Sequence, residues 1–213
     1  MQSCKAVFDH IYTTNVWGTP GDGSGSGSEI DFTTNMRHAL RNLFIDRGIR
    51  SMLDAPCGSA KWTAVFIKTI LEDFPDFRYH GVDVSEVAFE KARLNLKDVQ
   101  GTSLSCDDIS IVPLQSGYDV VLCRDALQHL STVRIKSILK TIARTDARFV
   151  ILGGYQDGEN VDIPDGEYFP FNPSTSPFNL VSSLVLLENH VCGQPQKSLF
   201  VYEGDFFRQQ VLN

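Results

Sequence analysis

The chain has 213 residues, enough for a sizeable core, and its 42% hydrophobic and 21% charged content is that of a soluble globular protein. A formal charge of −7 and a pI near 5.2 work against attraction to nucleic acid or an anionic membrane surface, so neither is an expected partner. No apolar run reaches the length of a membrane span and no secretory leader is visible. The cysteines (Cys4, Cys57, Cys106, Cys123 and Cys192) form no CxxC pair, which points to reduced thiols and a cytoplasmic setting.

Along the chain, Thr19 to Ser28 reads TPGDGSGSGS. It cannot bury apolar surface and is expected to be flexible, either as a linker or as a mobile lid. Ser28 is expected to cap a helix with Asp31 three residues on; Phe32, Met36, Leu40, Leu43 and Phe44 share its apolar face and Gly48 ends it. Strand and helix signals then alternate. Ser51 to Ala55 reads as a first strand, Lys61 to Leu71 as a helix and Tyr79 to Val84 as a second strand, after which Ser85 caps a helix to about Lys97. Leu104 to Ile109 holds a third strand and Tyr118 to Cys123 a fourth. A helix over Ser131 to Arg144 and a fifth strand over Arg148 to Leu152 complete the series. Such alternation predicts an α/β fold with a mostly parallel sheet and helices on both faces. Leu184 to Leu187 and Ser198 to Tyr202 are expected to form an antiparallel pair at one edge. The intervening Gly153 to Leu180 is too long and too aromatic for a simple connection, and reads as a functional loop.

A single domain over residues 1–213 is expected: an N-terminal segment over 1–28, a cofactor-binding core over 29–152, and an acceptor loop with the strand pair over 153–213. The same stretch is compatible with one domain of a longer protein.

Ligands of parallel sheets bind outside the carboxyl ends of the strands. The first strand ends in Asp54-Ala55-Pro56-Cys57-Gly58, a turn with one glycine and no pyrophosphate fingerprint. It suits a cofactor with an amino acid tail, with Asp54 meeting the ammonium directly or through water. Asp83 ends the second strand, where a carboxylate can accept both ribose hydroxyls. Asp107 and Asp108 follow the third, where one of them can accept from an adenine amino group. The fourth strand is followed by Arg124-Asp125-Ala126-Leu127-Gln128-His129. In a helix, Asp125 and His129 would share a face and hydrogen-bond, making a general-base pair. No metal-ligand spacing is present, and no metal is expected.

Asp54 to Trp62 (DAPCGSAKW), Tyr79 to Ser85 (YHGVDVS) and Tyr118 to Ser131 (YDVVLCRDALQHLS) resemble the class I S-adenosylmethionine-dependent methyltransferases. The resemblance is to a branch whose first loop reads DAPCG…W. That branch has an IY..N.WG segment and a Ser/Gly stretch before it, as at Ile11 to Gly18 and Ser24 to Ser28, and a PFN element after the fifth strand, as at Pro177-Phe178-Asn179. The chain departs from the branch at Ser59 and Ala60, where an acidic residue and an aromatic are usual. The resemblance implies a Rossmann-like, seven-stranded, mostly parallel sheet with an antiparallel edge strand. It implies S-adenosyl-L-methionine as cofactor and S-adenosyl-L-homocysteine as product. It assigns Asp54 and Gly58 to the methionine end, Asp83 to the ribose and Asp107 or Asp108 to the adenine, with Pro56, Trp62, Val84 and Arg124 completing the cofactor-binding set. It also makes the Ser/Gly stretch a native lid.

Relatives of this branch occur beside polysaccharide genes in bacteria, phages and large viruses, including multidomain glycan-building proteins. The expected acceptor is accordingly a small molecule or glycan, such as the hydroxyl of a deoxyhexose like rhamnose. Trp17, Tyr155 and Phe178 offer flat faces to a sugar ring, with Ser26, Asn172 and Asn179 beside them. Methylation of a protein or RNA is the competing reading, which the acidic charge disfavours for RNA. A non-catalytic cofactor-binding or interaction module is the reading from a different class.

Overall fold

The computed structural model describes residues 3–188 and 196–213. It divides into two compact units, Met1–Asp108 and Ile109–Asn213. Seven strands among the described residues form a sheet in the order β3-β2-β1-β4-β5-β7-β6, the order of a doubly wound α/β fold.

In the first unit, helix α1 (Cys4–Thr14) is capped by Ser3, whose hydroxyl accepts from the Ala6 amide. Helix α2 (Thr34–Arg47) follows, then strand β1 (Ser51–Asp54), helix α3 (Lys61–Asp73) and strand β2 (Arg78–Asp83). Helix α4 (Glu86–Leu96) and strand β3 (Thr102–Cys106) complete the unit. Strands β1, β2 and β3 pair in parallel. Helix α3 forms because Trp62, Phe66 and Ile70 recur every four residues and are all buried, with Ile67 beside them. Helix α4 buries Ala88, Ala92 and Leu96 on the same spacing, and its small residues let it lie against β2 and β3. Phe44 of α2 sits edge-on to Phe66 at 5.3 Å and near Phe77 at 6.1 Å, closing the apolar layer.

Helix α2 begins later than Ser28. Ser28 lies in a 3-10 turn and its hydroxyl donates to the Ser24 carbonyl, while Thr33 donates to the carbonyls of Glu29 and Ile30. The Ser28 hydroxyl, expected to cap the helix, is thus spent on a turn. Gly48 ends it as expected, its amide bonding back to the last turn. Strand β3 begins earlier than Leu104, because its register on β2 pairs Thr102 with Tyr79 and Cys106 with Asp83.

The second unit contains strand β4 (Val120–Cys123), helix α5 (Thr132–Ala143), strand β5 (Phe149–Tyr155), strands β6 (Leu184–Leu187) and β7 (Lys197–Glu203), and helix α6 (Gly204–Leu212). Strands β4 and β5 are parallel and buried throughout. Strand β7 runs antiparallel to both β5 and β6. On α5, Ile135, Ile138, Leu139 and Ile142 make a continuous buried stripe. Helix α6 was not anticipated. It is anchored by Phe207, edge-on to Tyr202 at 5.3 Å, and by Arg208, which donates to the Thr145 and Ala147 carbonyls. Among the described cysteines, Cys4, Cys57, Cys106 and Cys123 are free thiols; Cys192 lies outside the described residues. No described helix is long and apolar enough to cross a membrane.

The β7–α6 junction depends on close backbone approach at Gly204, where an added Cβ would lie 1.9 Å from the Ala147 carbonyl oxygen. A backbone carbonyl cannot yield as a flexible side chain can. Gly204→Ala is expected to cost about 1–3 kcal/mol or more in urea unfolding; an unchanged midpoint contradicts this packing.

Candidate functional site

The first unit holds the acidic strand ends. Beyond β1 the chain turns through Pro56, Gly58 and Ala60 into α3, with Gly58 and Ala60 both in the left-handed region. A Cβ at Gly58 would meet the Ser24 hydroxyl at 3.0 Å and the Tyr12 hydroxyl at 3.1 Å, a tight fit on a left-handed backbone that disfavours a side chain. The Gly58 amide donates to Asp83 Oδ2 at 2.9 Å, and the Ser85 amide donates to Asp83 Oδ1 at 2.9 Å. Asp83 is buried, and burial pushes its carboxyl up to about 6 against the pull of those two amides and of Val84. One carboxylate therefore joins the loop after β1 to the start of α4. Asp54 is also buried, and its Oδ2 accepts from the Tyr79 hydroxyl at 3.0 Å and from Thr63 at 3.4 Å. The Asp107 amide donates to the Asp83 carbonyl at 3.0 Å, which holds the start of the loop after β3 against the end of β2. Asp107, Asp108 and Val84 are half-buried. Trp62 is buried in the first turn of α3, its ring 6.2 Å from Phe66.

The Ser/Gly stretch is built into this unit, contrary to the flexible segment expected. Ser24 Oγ lies 2.8 Å from the Tyr12 hydroxyl and accepts from the Ser59 amide at 3.2 Å. The Ser59 hydroxyl donates to the Gly21 carbonyl at 2.8 Å. Lys91 and Asn95 of α4 donate to Asp22, and Glu29 accepts from the Gly21 amide and from Lys61. A composition with nothing apolar to bury is ordered here by polar partners on α3 and α4. Sequence reading missed Tyr12, Ser24 and Ser59. The pairing of a small polar stretch with Ser59, where the branch has an acidic residue, was the available signal. Trp17 packs at 6.0 Å from both Phe8 and Tyr12, and Ser26 is exposed.

The second unit holds the segment after β4, which does not meet the helical condition for an Asp125–His129 pair. Asp125 has φ 55, and only a 3-10 turn follows over Leu127–His129. Asp125 and His129 do not hydrogen-bond. The Asp125 carboxylate is taken up by Arg124 at 3.0 Å, by Gln128 at 3.3 Å and by Lys197. Arg124 in turn grips Glu188 with two bonds, at 3.1 and 2.6 Å. Burial disfavours the charge on Arg124, yet Asp125 and Glu188 outweigh it and hold the guanidinium protonated. Burial likewise opposes the Asp125 charge, but Arg124 and Lys197 keep its carboxyl well below the usual range. The four side chains form a buried, charge-balanced chain in which the Arg124 guanidinium is held by the two carboxylates. Glu188 and Lys197 were not foreseen; each borders an apolar strand, where a charge must find a partner that the sequence does not name.

His129 is oriented differently from expectation. Its Nδ1 lies 2.8 Å from the Glu167 carbonyl oxygen, which can only accept. Nδ1 therefore carries the proton, and in the neutral ring Nε2 holds the lone pair. Burial pushes the imidazole below its ordinary value, with the Glu167 carbonyl and Asp125 acting in the other direction. The aromatic loop is fastened around this residue. The Gly166 and Phe169 amides donate to the carbonyls of His129 and Gln128, and Asp165 accepts from the Ser131 amide and Arg134. Tyr155 is buried, whereas Phe178 is half-buried, edge-on to Phe171 at 5.1 Å. Asn172 is buried and braces the loop: it donates to the Gln156 and Gly158 carbonyls and accepts from the Ser174 amide. Asn179 is exposed, in a left-handed turn.

A methyltransferase-domain family model matches residues 53–145, the stretch that contains Asp54, Gly58, Asp83, Asp125 and His129. The match spans less than half of the chain, and the sheet and its helices form a Rossmann-like α/β fold shared with methyltransferases of known structure. The N-methyltransferase NodS from Bradyrhizobium japonicum, solved with S-adenosyl-L-homocysteine, shares its fold at TM-score 0.66 and 11% identity, over 95% of this chain and 98% of that one. Magnesium protoporphyrin IX methyltransferase from Synechocystis, solved with S-adenosylmethionine, gives TM-score 0.61 at 13% identity, over 95% and 99% of the two chains. A putative O-methyltransferase from Nostoc punctiforme gives 0.59 at 15%, over 93% of this chain and 69% of that one. No curated protein matches. These methyltransferase matches carry no support for the viral glycan-building link.

The residues present fit the cofactor of this class of methyltransferase. Gly58 gives a side-chain-free approach, and the Asp83 carboxylate, already holding the Gly58, Ser85 and Val84 amides, keeps acceptor capacity for a hydroxyl. In the second unit, Arg124→Met strands Glu188 in a buried setting and is expected to cost about 3–5 kcal/mol in chemical unfolding. The double variant Arg124→Met/Glu188→Gln should recover much of that loss; equal losses in the single and double variants contradict the coupling.

Proposed function

We propose that the chain is an S-adenosylmethionine-dependent O-methyltransferase acting on a sugar hydroxyl, a deoxyhexose of a glycan such as rhamnose being the expected acceptor. The observation that carries the proposal is the His129 tautomer: an imidazole whose Nδ1–H is held by a backbone carbonyl, beyond the carboxyl end of β4, where parallel sheets bind ligand. An amine acceptor arrives with its own lone pair once neutral, whereas a sugar hydroxyl gains from a base. His129 Nε2 takes that proton, and the Glu167 carbonyl keeps the ring in the basic tautomer. Asp125 contributes through space, its negative charge favouring the imidazolium that forms.

The cofactor, when bound, supplies a methyl group already activated by its sulfonium. Asp83 accepts from the ribose hydroxyls, Asp107 or Asp108 from the adenine amino group, and the Asp54–Gly58 turn receives the methionine end. The Thr19–Ser28 segment, seated against Gly58, serves as the cover that keeps water from this end. Alignment of acceptor and methyl group is then largely a proximity effect.

His129→Gln is expected to lower kcat about 10²–10⁴-fold, with S-adenosylmethionine affinity within about twofold of wild type. Because burial lowers the His129 value, the neutral base persists as pH falls, and the acid limb of the wild-type rate profile should lie below pH ~6.5. Activity undiminished in the variant, or an acid limb well above that pH, removes His129 from the role.

A further inference from the structure

Tyr168 has no assigned role, yet its setting is unusual for an exposed aromatic. More than half of its surface is open, at 55% relative exposure, while the chain on both sides of it is pinned. Asp165 is held by the Ser131 amide and Arg134, the Gly166 amide by the His129 carbonyl, the Glu167 carbonyl by His129 Nδ1, and the Phe169 amide by the Gln128 carbonyl. Four consecutive anchors around one exposed ring leave little freedom to lose on binding. The ring itself is braced. Its centroid lies 5.7 Å from the His129 ring, tilted at 48°, and 6.3 Å from Tyr155, edge-on at 89°. Tyr168 also helps burial raise the Tyr155 hydroxyl above its ordinary value.

We infer that Tyr168 is the acceptor platform: a rigid aromatic face on which a pyranose ring stacks, with one of its hydroxyls presented to His129. The inference rests on the methyltransferase reading and deepens it by naming the residue that selects a ring-shaped, uncharged acceptor. Aromatic rings bury large area at low entropic cost because only two torsions are fixed. A sugar has an apolar C–H face that such a ring can cover, and its remaining hydroxyls stay toward solvent. The tyrosine hydroxyl is needed little for stacking, so phenylalanine should substitute for it.

The test uses the whole chain and methyl α-L-rhamnopyranoside as the acceptor probe. Methyl transfer is measured for wild type, Tyr168→Ala and Tyr168→Phe, and sugar binding is followed by saturation-transfer NMR with S-adenosylhomocysteine present. Tyr168→Ala should raise the sugar KM about tenfold, equivalent to about 1.4 kcal/mol, with kcat and cofactor affinity within about threefold of wild type. Tyr168→Phe should retain the wild-type KM, and the saturation transfer should fall in the alanine variant alone. An unchanged KM in Tyr168→Ala overturns the inference, as does a fall in kcat with KM unmoved. Wild type that binds the cofactor but neither binds nor methylates the sugar overturns it too, while leaving the methyltransferase reading intact. Failure of wild type to bind the cofactor refutes that reading itself.

Discussion

The first unit depends on one carboxylate. Asp83 stands at the end of β2 and receives the amides of Gly58 and Ser85, one on each oxygen. It fixes the loop between β1 and α3 and sets the start of α4. The arrangement opposes solvation: burial raises the group toward neutrality, and backbone donors compensate only in part. A buried carboxylate with lone pairs to spare is costly to maintain as structure alone. In the proposed reading, a ligand brings hydroxyl donors to it. The N-terminal segment follows from the same arrangement, since Ser24 and Tyr12 reach the space that a side chain at position 58 would fill.

The second unit solves a different electrostatic problem. Glu188, Arg124, Asp125 and Lys197 alternate in sign and are largely buried, so each charge is neutralised locally. Such a chain adds little net stability but penalises any arrangement in which one member is missing. It also takes Asp125 away from direct contact with His129. The imidazole is oriented by a backbone carbonyl, and the carboxylate acts on it through space. Burial lowers the imidazole against the pull of both and so favours the neutral ring, the state a base requires.

Much of the fold was legible in the sequence because periodicity reports burial. The four-residue spacing on α3 and the apolar run of β4 specify helix and buried strand without reference to the rest of the chain. The acidic strand ends were also legible, since Asp54, Asp83 and Asp107 follow apolar runs directly. Less accessible was anything decided by a distant partner. Thr19–Ser28 looks disordered by composition, and only Ser59, Lys91 and Asn95 give it a fixed place. Asp125 and His129 have helical spacing, but Asp125 adopts a left-handed backbone and the turn after it is too tight to bring the pair together. Glu188 and Lys197 are ordinary surface residue types in sequence, and their burial follows from strand pairing across residues far apart. The internal partners of Asn172 and Arg124 likewise lie far away in the sequence or across the sheet, and the sequence does not name them.

The central claim is that this chain binds S-adenosylmethionine through Asp83. Isothermal calorimetry of the cofactor into wild type and Asp83→Asn, with circular dichroism to confirm that both are folded, tests it most directly. The account predicts saturable one-to-one binding by wild type and affinity at least about tenfold weaker in the variant, a loss of about 1.4 kcal/mol or more. Folded wild type that takes up no cofactor, or a variant that binds as tightly as wild type, would contradict it.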